Sequence, residues 1–260
     1  MAAGFYLSFT RMRSIEILGV RVDDVTMAEA LALAGEMIDG PAASCRQVVS
    51  VNPEFIMTAR RNPAFARVLA ASDLNLTDGA NLIRAARWLG LTLRERVAGS
   101  DLAPRLAARA AERGWRLYLL GAAEGVAAQA AANLQKEHSQ LQVVGTWAGS
   151  PALREEDELV KRVNASGAQV LLVAYGAPAQ DLWIARNRER LAARVAIGVG
   201  GTFDFIAGRV PRAPLWMQHA GLEWLFRLAR QPWRIKRQAA LAGFVWLVLR
   251  ERLHGREDNR

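Results

Sequence analysis

The sequence predicts an α/β fold, a Rossmann-like and mostly parallel sheet with helices on both faces, followed by a helical C-terminal appendage. Two observations predict the sheet. Runs that are almost wholly apolar, such as Trp115–Gly121 (WRLYLLG), Val170–Tyr175 (VLLVAY) and Val195–Val199 (VAIGV), alternate with longer helix-like stretches. Strands that are apolar on both faces belong in a parallel sheet, because crossover connections place helices over each side. A third observation predicts the appendage. From Arg209 to Arg260 there are 11 Arg/Lys against 4 Asp/Glu, whereas the first 208 residues hold 23 against 21. Trp216, Trp224, Trp233 and Trp246 lie in that same segment.

Taken in order, Val20–Val25 and Arg46–Val51 read as strands. Phe55–Ala71 reads as one helix that Asn52-Pro53-Glu54 starts. Leu74–Leu76 is a brief strand, and Ala80–Leu89 and Leu102–Arg113 are helical. The strand Trp115–Gly121 leads into the Ala-rich helix Gly125–Glu137. Leu141–Val144 is a strand and Leu153–Asn164 a helix. Val170–Tyr175 is followed by the helix Gln180–Arg190, and Val195–Val199 runs into Gly200-Gly201. Pro211–Pro214 breaks the pattern. Beyond it, Leu215–Arg230 and Trp233–Arg252 read as helices parted at Gln231-Pro232. The expected organisation is an N-terminal extension of poor order at 1–13, an α/β catalytic domain at 14–210, and a basic amphipathic appendage at 211–260.

Composition narrows the function. The formal charge of +9 and a pI near 10.8 favour an anionic partner. Arg outnumbers Lys by 31 to 3, so Arg richness alone says little about phosphate. The single Cys45 excludes an internal disulfide and a Cys-based zinc site, and three scattered His do not make a His-rich metal site. The N-terminal MAAGFYLSFTRMR carries its charges after its apolar run, the wrong order for a secretory signal, and Met12 is an alternative start. The longest apolar run, Ala239–Leu249, is too short to span a bilayer. Being apolar all round, it needs a partner: a bilayer, another subunit or the domain itself. Arg227, Arg230, Arg234 and Arg237 recur at helical spacing among Trp, Leu and Phe. That is the composition of a segment lying on an anionic membrane surface, or of a solvated basic face.

Ligands of parallel sheets bind beyond the carboxyl ends of the strands, so the loops after strands carry the candidates. Ser50 and Asn52 could bond a sugar or phosphate, or Asn52 could cap the following helix. Asp78, in Thr77-Asp78-Gly79, fits a general base, a ribose ligand or a turn residue. Arg96 precedes a small-residue loop, where its forked donors suit a diphosphate or a surface ion pair. Ser100 or Asp101 is expected to cap the helix that follows. In Tyr175-Gly176-Ala177-Pro178-Ala179-Gln180-Asp181, Gly176 allows close backbone approach and Gln180 offers an amide, or the loop is a Gly-Pro turn. Gly200-Gly201 could present N–H groups to phosphate, with Asp204 reaching a hydroxyl.

Other chemistries find less support. The run Gly198-Val-Gly200-Gly201-Thr-Phe203 lacks the last glycine of the dinucleotide fingerprint, which weakens a Rossmann-type nucleotide-dependent oxidoreductase without removing it. There is no P-loop, nucleophile elbow, H-E-x-x-H or paired-Cys motif. A nucleic-acid-binding module is permitted by charge, but the charge is confined to a Trp- and Leu-rich tail without an RNA or DNA motif.

Seven segments in order carry a resemblance: V-N-P-E, L-T-D-G, E-R-V-A-G-S-D, Y-G-A-P-A-Q-D, G-V-G-G-T-F-D, R-A-P, and G-L-E-W-L-F-R-L with Q-P-W-R. Together, from about Ser14 to Arg237, they resemble the WecG/TagA/CpsF glycosyltransferases. The resemblance implies a bacterial inverting enzyme without a cofactor or required metal. It would move a hexose-type sugar (N-acetylmannosamine, its uronic acid, or glucose) from a UDP-sugar to an undecaprenyl-diphosphate-linked saccharide. The work would be done peripherally at the cytoplasmic face of the inner membrane, in cell-surface polysaccharide synthesis, with no nucleic-acid partner and a homo-oligomer possible.

By position, the resemblance makes Asp78 the base and Arg96 the stabiliser of the diphosphate. It groups Ser50, Asn52, Gly79, Gly176, Gln180, Gly200, Gly201 and Asp204 as substrate-binding. It assigns Arg227, Arg234 and Arg237 to the acceptor and the membrane. Three positions depart from the family pattern. Ala179 stands where members carry Lys, Asp181 where they carry Glu, and Ser50 where they carry Thr. The missing lysine charge argues against an acidic donor.

Overall fold

The computed structural model describes residues 12–41, 44–214 and 235–257, with 217, 225, 226 and 228 between the last two stretches. A hairpin of β1 (Ser14–Ile17) and β2 (Val20–Asp23) precedes α1 (Met27–Asp39). Then come β3 (Arg46–Val51), α2 (Pro53–Ala59), α3 (Pro63–Ala71), β4 (Leu74–Thr77), α4 (Ala80–Trp88) and α5 (Gly99–Arg113). They are followed by β5 (Arg116–Gly121), α6 (Val126–Glu137), β6 (Gln142–Trp147), α7 (Glu156–Ala165), β7 (Val170–Ala174), α8 (Ala179–Asn187), β8 (Val195–Gly198) and α9 (Thr202–Ile206). The last described element is α10 (Ile235–Glu257).

Strands β3 to β8 form one six-stranded sheet in the order β4-β3-β8-β7-β5-β6, and every neighbouring pair is parallel. The fold class is therefore the one expected. Alternate residues of each strand enter different layers. Val48, Leu76, Leu119 and Ile197 meet Leu33 of α1, Leu106 of α5 and Phe203 of α9. On the other face, Val49 and Val51 meet Phe55, Phe65 and Leu82 of α2, α3 and α4, while Leu171 and Val173 meet Leu159 and Trp183 of α7 and α8. The β1–β2 hairpin lies beside β4, where the Asn75 N–H donates to the Asp23 carboxylate at 2.7 Å and the Arg21 guanidinium donates to the Ser72 carbonyl. This occupies an N–H on the edge strand that would otherwise invite another chain.

Two local expectations are corrected, and one helix is added. Phe55–Ala71 is two helices. Asn62 accepts the Phe65 N–H and Pro63 opens α3, the same Asn-Pro start that opens α2. Helix α1 is missing from the sequence reading, although Thr26 and Glu29 form a reciprocal capping box at its start. Helix α5 begins at Gly99 with Ala98 as its cap residue and no side-chain cap, so neither Ser100 nor Asp101 plays that part.

The apolar run in the tail finds one of its partners within the domain. Phe244 and Val248 of α10 are buried with the α2–α4 layer, and Gly243 lies close to Met57. Trp246, Leu249 and Leu253 remain exposed, with the Arg250 guanidinium 5.6 Å from the Trp246 ring. No helix among the described residues is long and apolar enough to cross a membrane.

Candidate active site

The crevice follows from the topology. After β3 and β7 the chain turns to the α2 and α8 face, whereas after β8 it turns to the face of α5 and α9. Loops that part in this way open a cleft at the carboxyl end of the sheet. The adjacent strands β4, β3, β8 and β7 end there, at Asp78, at Ser50 and Asn52, at Gly200 and Gly201, and at Gly176. Four segments far apart in sequence thus share one rim.

Asp78 and Arg96 are brought near one another by backbone bonds. The Asp78 N–H donates to the Val51 carbonyl at 2.7 Å, and the Val97 N–H donates to the Thr77 carbonyl at 2.7 Å. The loop bearing Arg96 is thereby stitched to the strand end that bears Asp78. Both side chains are half-buried. Gly79 has φ +103°, a conformation that a residue with a Cβ avoids, so glycine is required directly after Asp78.

Above β3 and β8 sits the N-terminus of α5. A Cβ on Gly99 would lie 2.9 Å from the Ser50 hydroxyl, so the absence of a side chain lets the helix end approach that hydroxyl closely. Ser50 Oγ is buried and has no hydrogen-bond partner among the described residues. A helix N-terminus beside an unused hydroxyl suits an anion. The Arg96 guanidinium donates to Asp101 Oδ2 at 2.6 Å, and Arg212 donates to Asp101 Oδ1 at 2.6 Å.

Gln180 is a brace between two loops. Its Oε1 accepts the Gly176 N–H at 3.1 Å and the Gly200 N–H at 3.0 Å, and only 2% of the residue is exposed. In this structure the Gln180 oxygen and the Gly200 N–H, both expected to face a ligand, bond each other. Asp181 beside it is fully buried, and neither carboxylate oxygen has a well-formed hydrogen bond. Burial pushes its pKa from 3.8 up to about 7, with the Gln180 side chain offsetting part of the rise. A Cβ on Gly198 would come within 2.6 Å of both Asp181 Oδ1 and Gln180 Nε2, so β8 must carry glycine there.

The remaining predicted residues divide. Asn52 caps α2, its Oδ1 accepting the Phe55 N–H at 3.1 Å, as its alternative reading held. Gly201 is exposed at the rim, and Asp204 is half-buried in the first turn of α9. Arg227 and Arg234 lie outside the described residues, as does the side chain of Arg237. Sequence reading missed Arg212 as a neighbour of Arg96. Its only signal was the R-A-P segment, and 111 residues separate it from Asp101. Among the described residues no cluster of His, Cys, Asp or Glu is placed to hold a metal ion.

A family model described as the glycosyl transferase WecG/TagA/CpsF family matches residues 15–258. The chain belongs to that family. It is a glycosyltransferase of cell-surface polysaccharide synthesis, and an oxidoreductase gains no support from the match. The matched residues run from the hairpin through the sheet and its strand-end loops to α10, so this WecG/TagA/CpsF chain carries both the cleft and the tail helix within the family's span.

Proposed function

We propose that this WecG/TagA/CpsF member is an inverting enzyme that moves a hexose-type sugar from a UDP-sugar to a polyprenyl-diphosphate-linked saccharide, with Asp78 as the base. The backbone bonds joining Thr77 to Val97 and Asp78 to Val51 carry this conclusion, because they hold a carboxylate and an arginine together at the mouth of the sheet. Inversion needs those two groups on opposite sides of one reacting carbon. The acceptor hydroxyl loses its proton to Asp78 as its oxygen bonds to the anomeric carbon, and the bond from that carbon to UDP breaks. UDP leaves with added negative charge. Arg96, the α5 N-terminus and the Ser50 hydroxyl stabilise that charge more in the transition state than in the ground state. Gln180 keeps the Gly176 and Gly200 loops in register around the nucleotide.

The acceptor is anchored in a membrane, and α10 offers a surface for meeting it. The exposed Trp246, Leu249 and Leu253 stand beside Arg250 and Arg252, a pairing suited to an anionic lipid surface at the cytoplasmic face of the inner membrane. Arg227, Arg234 and Arg237 are proposed to serve the acceptor diphosphate. The donor is proposed among UDP-N-acetylmannosamine, its uronic acid and UDP-glucose, with Ala179 favouring a neutral sugar.

Asp78→Asn tests the chemical step. Transfer should fall by at least about a thousandfold while UDP affinity stays within about threefold, since general-base catalysis is worth roughly that much. Turnover near the wild-type rate would move the base elsewhere.

A further inference from the structure

A carboxylate directly against a leaving-group arginine is an odd feature of an enzyme that must stabilise a departing diphosphate. Asp101 lies 2.6 Å from the Arg96 guanidinium and, taken alone, would cancel the charge that Arg96 brings. Its other oxygen, however, is held at 2.6 Å by Arg212. Arg212 comes from the segment after α9, two residues ahead of Pro214, and reaches the first turn of α5. Its second terminal nitrogen is 3.5 Å from the Ser100 hydroxyl, and its guanidinium carbon lies 5.8 Å from the Phe205 ring. All three charged side chains are 20–29% exposed, so water screens them only in part.

We infer that Arg212 is a positioning and charge-compensating residue for diphosphate departure: it neutralises the second oxygen of Asp101, so that Asp101 can orient Arg96 without quenching it. This role rests on the nucleotide-sugar reading above. Asp101 supplies geometry, because each of its two oxygens holds one terminal nitrogen of a different arginine. Arg212 supplies the compensating charge, which acts through the pair at the helix N-terminus where the donor phosphates are read to lie. The arrangement also makes the chain just ahead of Pro214 part of the active site.

Charge compensation has a signature that mere structural bracing lacks. Arg212→Gln removes a positive charge, and Asp101→Asn removes the negative charge it balances. UDP affinity, measured by titration calorimetry on the full chain, should weaken roughly tenfold in Arg212→Gln, about the effect of one partly screened charge. It should return to within about threefold of wild type in the Asp101→Asn/Arg212→Gln double variant and in Arg212→Lys. If the bridge is only a brace, the double variant binds as weakly as the single one or more weakly, and the inference is overturned. Wild-type affinity in Arg212→Gln overturns it too, while leaving the nucleotide-sugar reading standing. A wild-type chain that does not bind UDP removes that reading, and this inference with it.

Discussion

Replacing Asp181 by Asn should make the protein more stable, by an amount that grows with pH. The carboxyl is wholly buried beneath Gly198, and burial lifts its pKa from 3.8 to about 7. The folded chain therefore keeps a proton there that the unfolded chain sheds near pH 4. By linkage, the stability this group contributes is fully present below the unfolded value and is lost as pH rises through the folded one. Each pH step in that window costs about 1.4 kcal/mol, so the loss across it totals roughly 4 kcal/mol. Asn has the same shape and no charge to lose. Urea denaturation of both proteins at pH 4, 5, 6, 7 and 8 should show near-equal stability at pH 4. A gap in favour of the Asp181→Asn variant should then widen to pH 7 and flatten beyond it. A gap that is constant with pH, or a variant less stable at pH 8, would refute the claim that Asp181 is held in its neutral form.

Gly198→Ala places a Cβ 2.6 Å from both Gln180 Nε2 and Asp181 Oδ1, and should displace the brace between the Gly176 and Gly200 loops. UDP affinity is expected to fall at least roughly tenfold, the loss of a buried hydrogen bond, and unchanged calorimetry would show that the loops do not depend on Gln180. Substituting Trp246, Leu249 and Leu253 together by Ser should leave the sheet intact, since the three are exposed, and reduce flotation with phosphatidylglycerol vesicles by at least about tenfold. Equal flotation would assign the lipid contact to another surface.

The sheet is legible in the sequence because buried parallel strands are apolar on both faces. Arg46–Val51 and the stretches ending at Gly121, Ala174 and Gly198 stand out from any amphipathic helix. That same topology says where to look, so Asp78 and the Gly200-Gly201 loop fall at strand ends from the sequence alone. Phe55–Ala71 divides at Asn62-Pro63, a helix start signal as clear as the one at Asn52-Pro53. The β1–β2 hairpin is legible only in part, because β1 alternates between exposed and buried residues over just four positions. What sequence does not supply is pairing at a distance. Nothing near Gln180 says that its oxygen is taken by Gly176 and Gly200, and nothing near Asp101 announces Arg212. Such bonds depend on which strand ends are neighbours, and hence on the completed order β4-β3-β8-β7.

Transfer itself is the most direct measurement. Full-length protein would be assayed with UDP-N-acetylmannosamine, its uronic acid, UDP-glucose and UDP-N-acetylglucosamine against a polyprenyl-diphosphate-linked sugar in anionic liposomes, with Asp78→Asn alongside. The expected result is product from a neutral UDP-sugar, with inverted anomeric configuration, that disappears in Asp78→Asn while UDP still binds. Retained configuration, or undiminished transfer by Asp78→Asn, would contradict the assignment of Asp78 as the base of an inverting displacement.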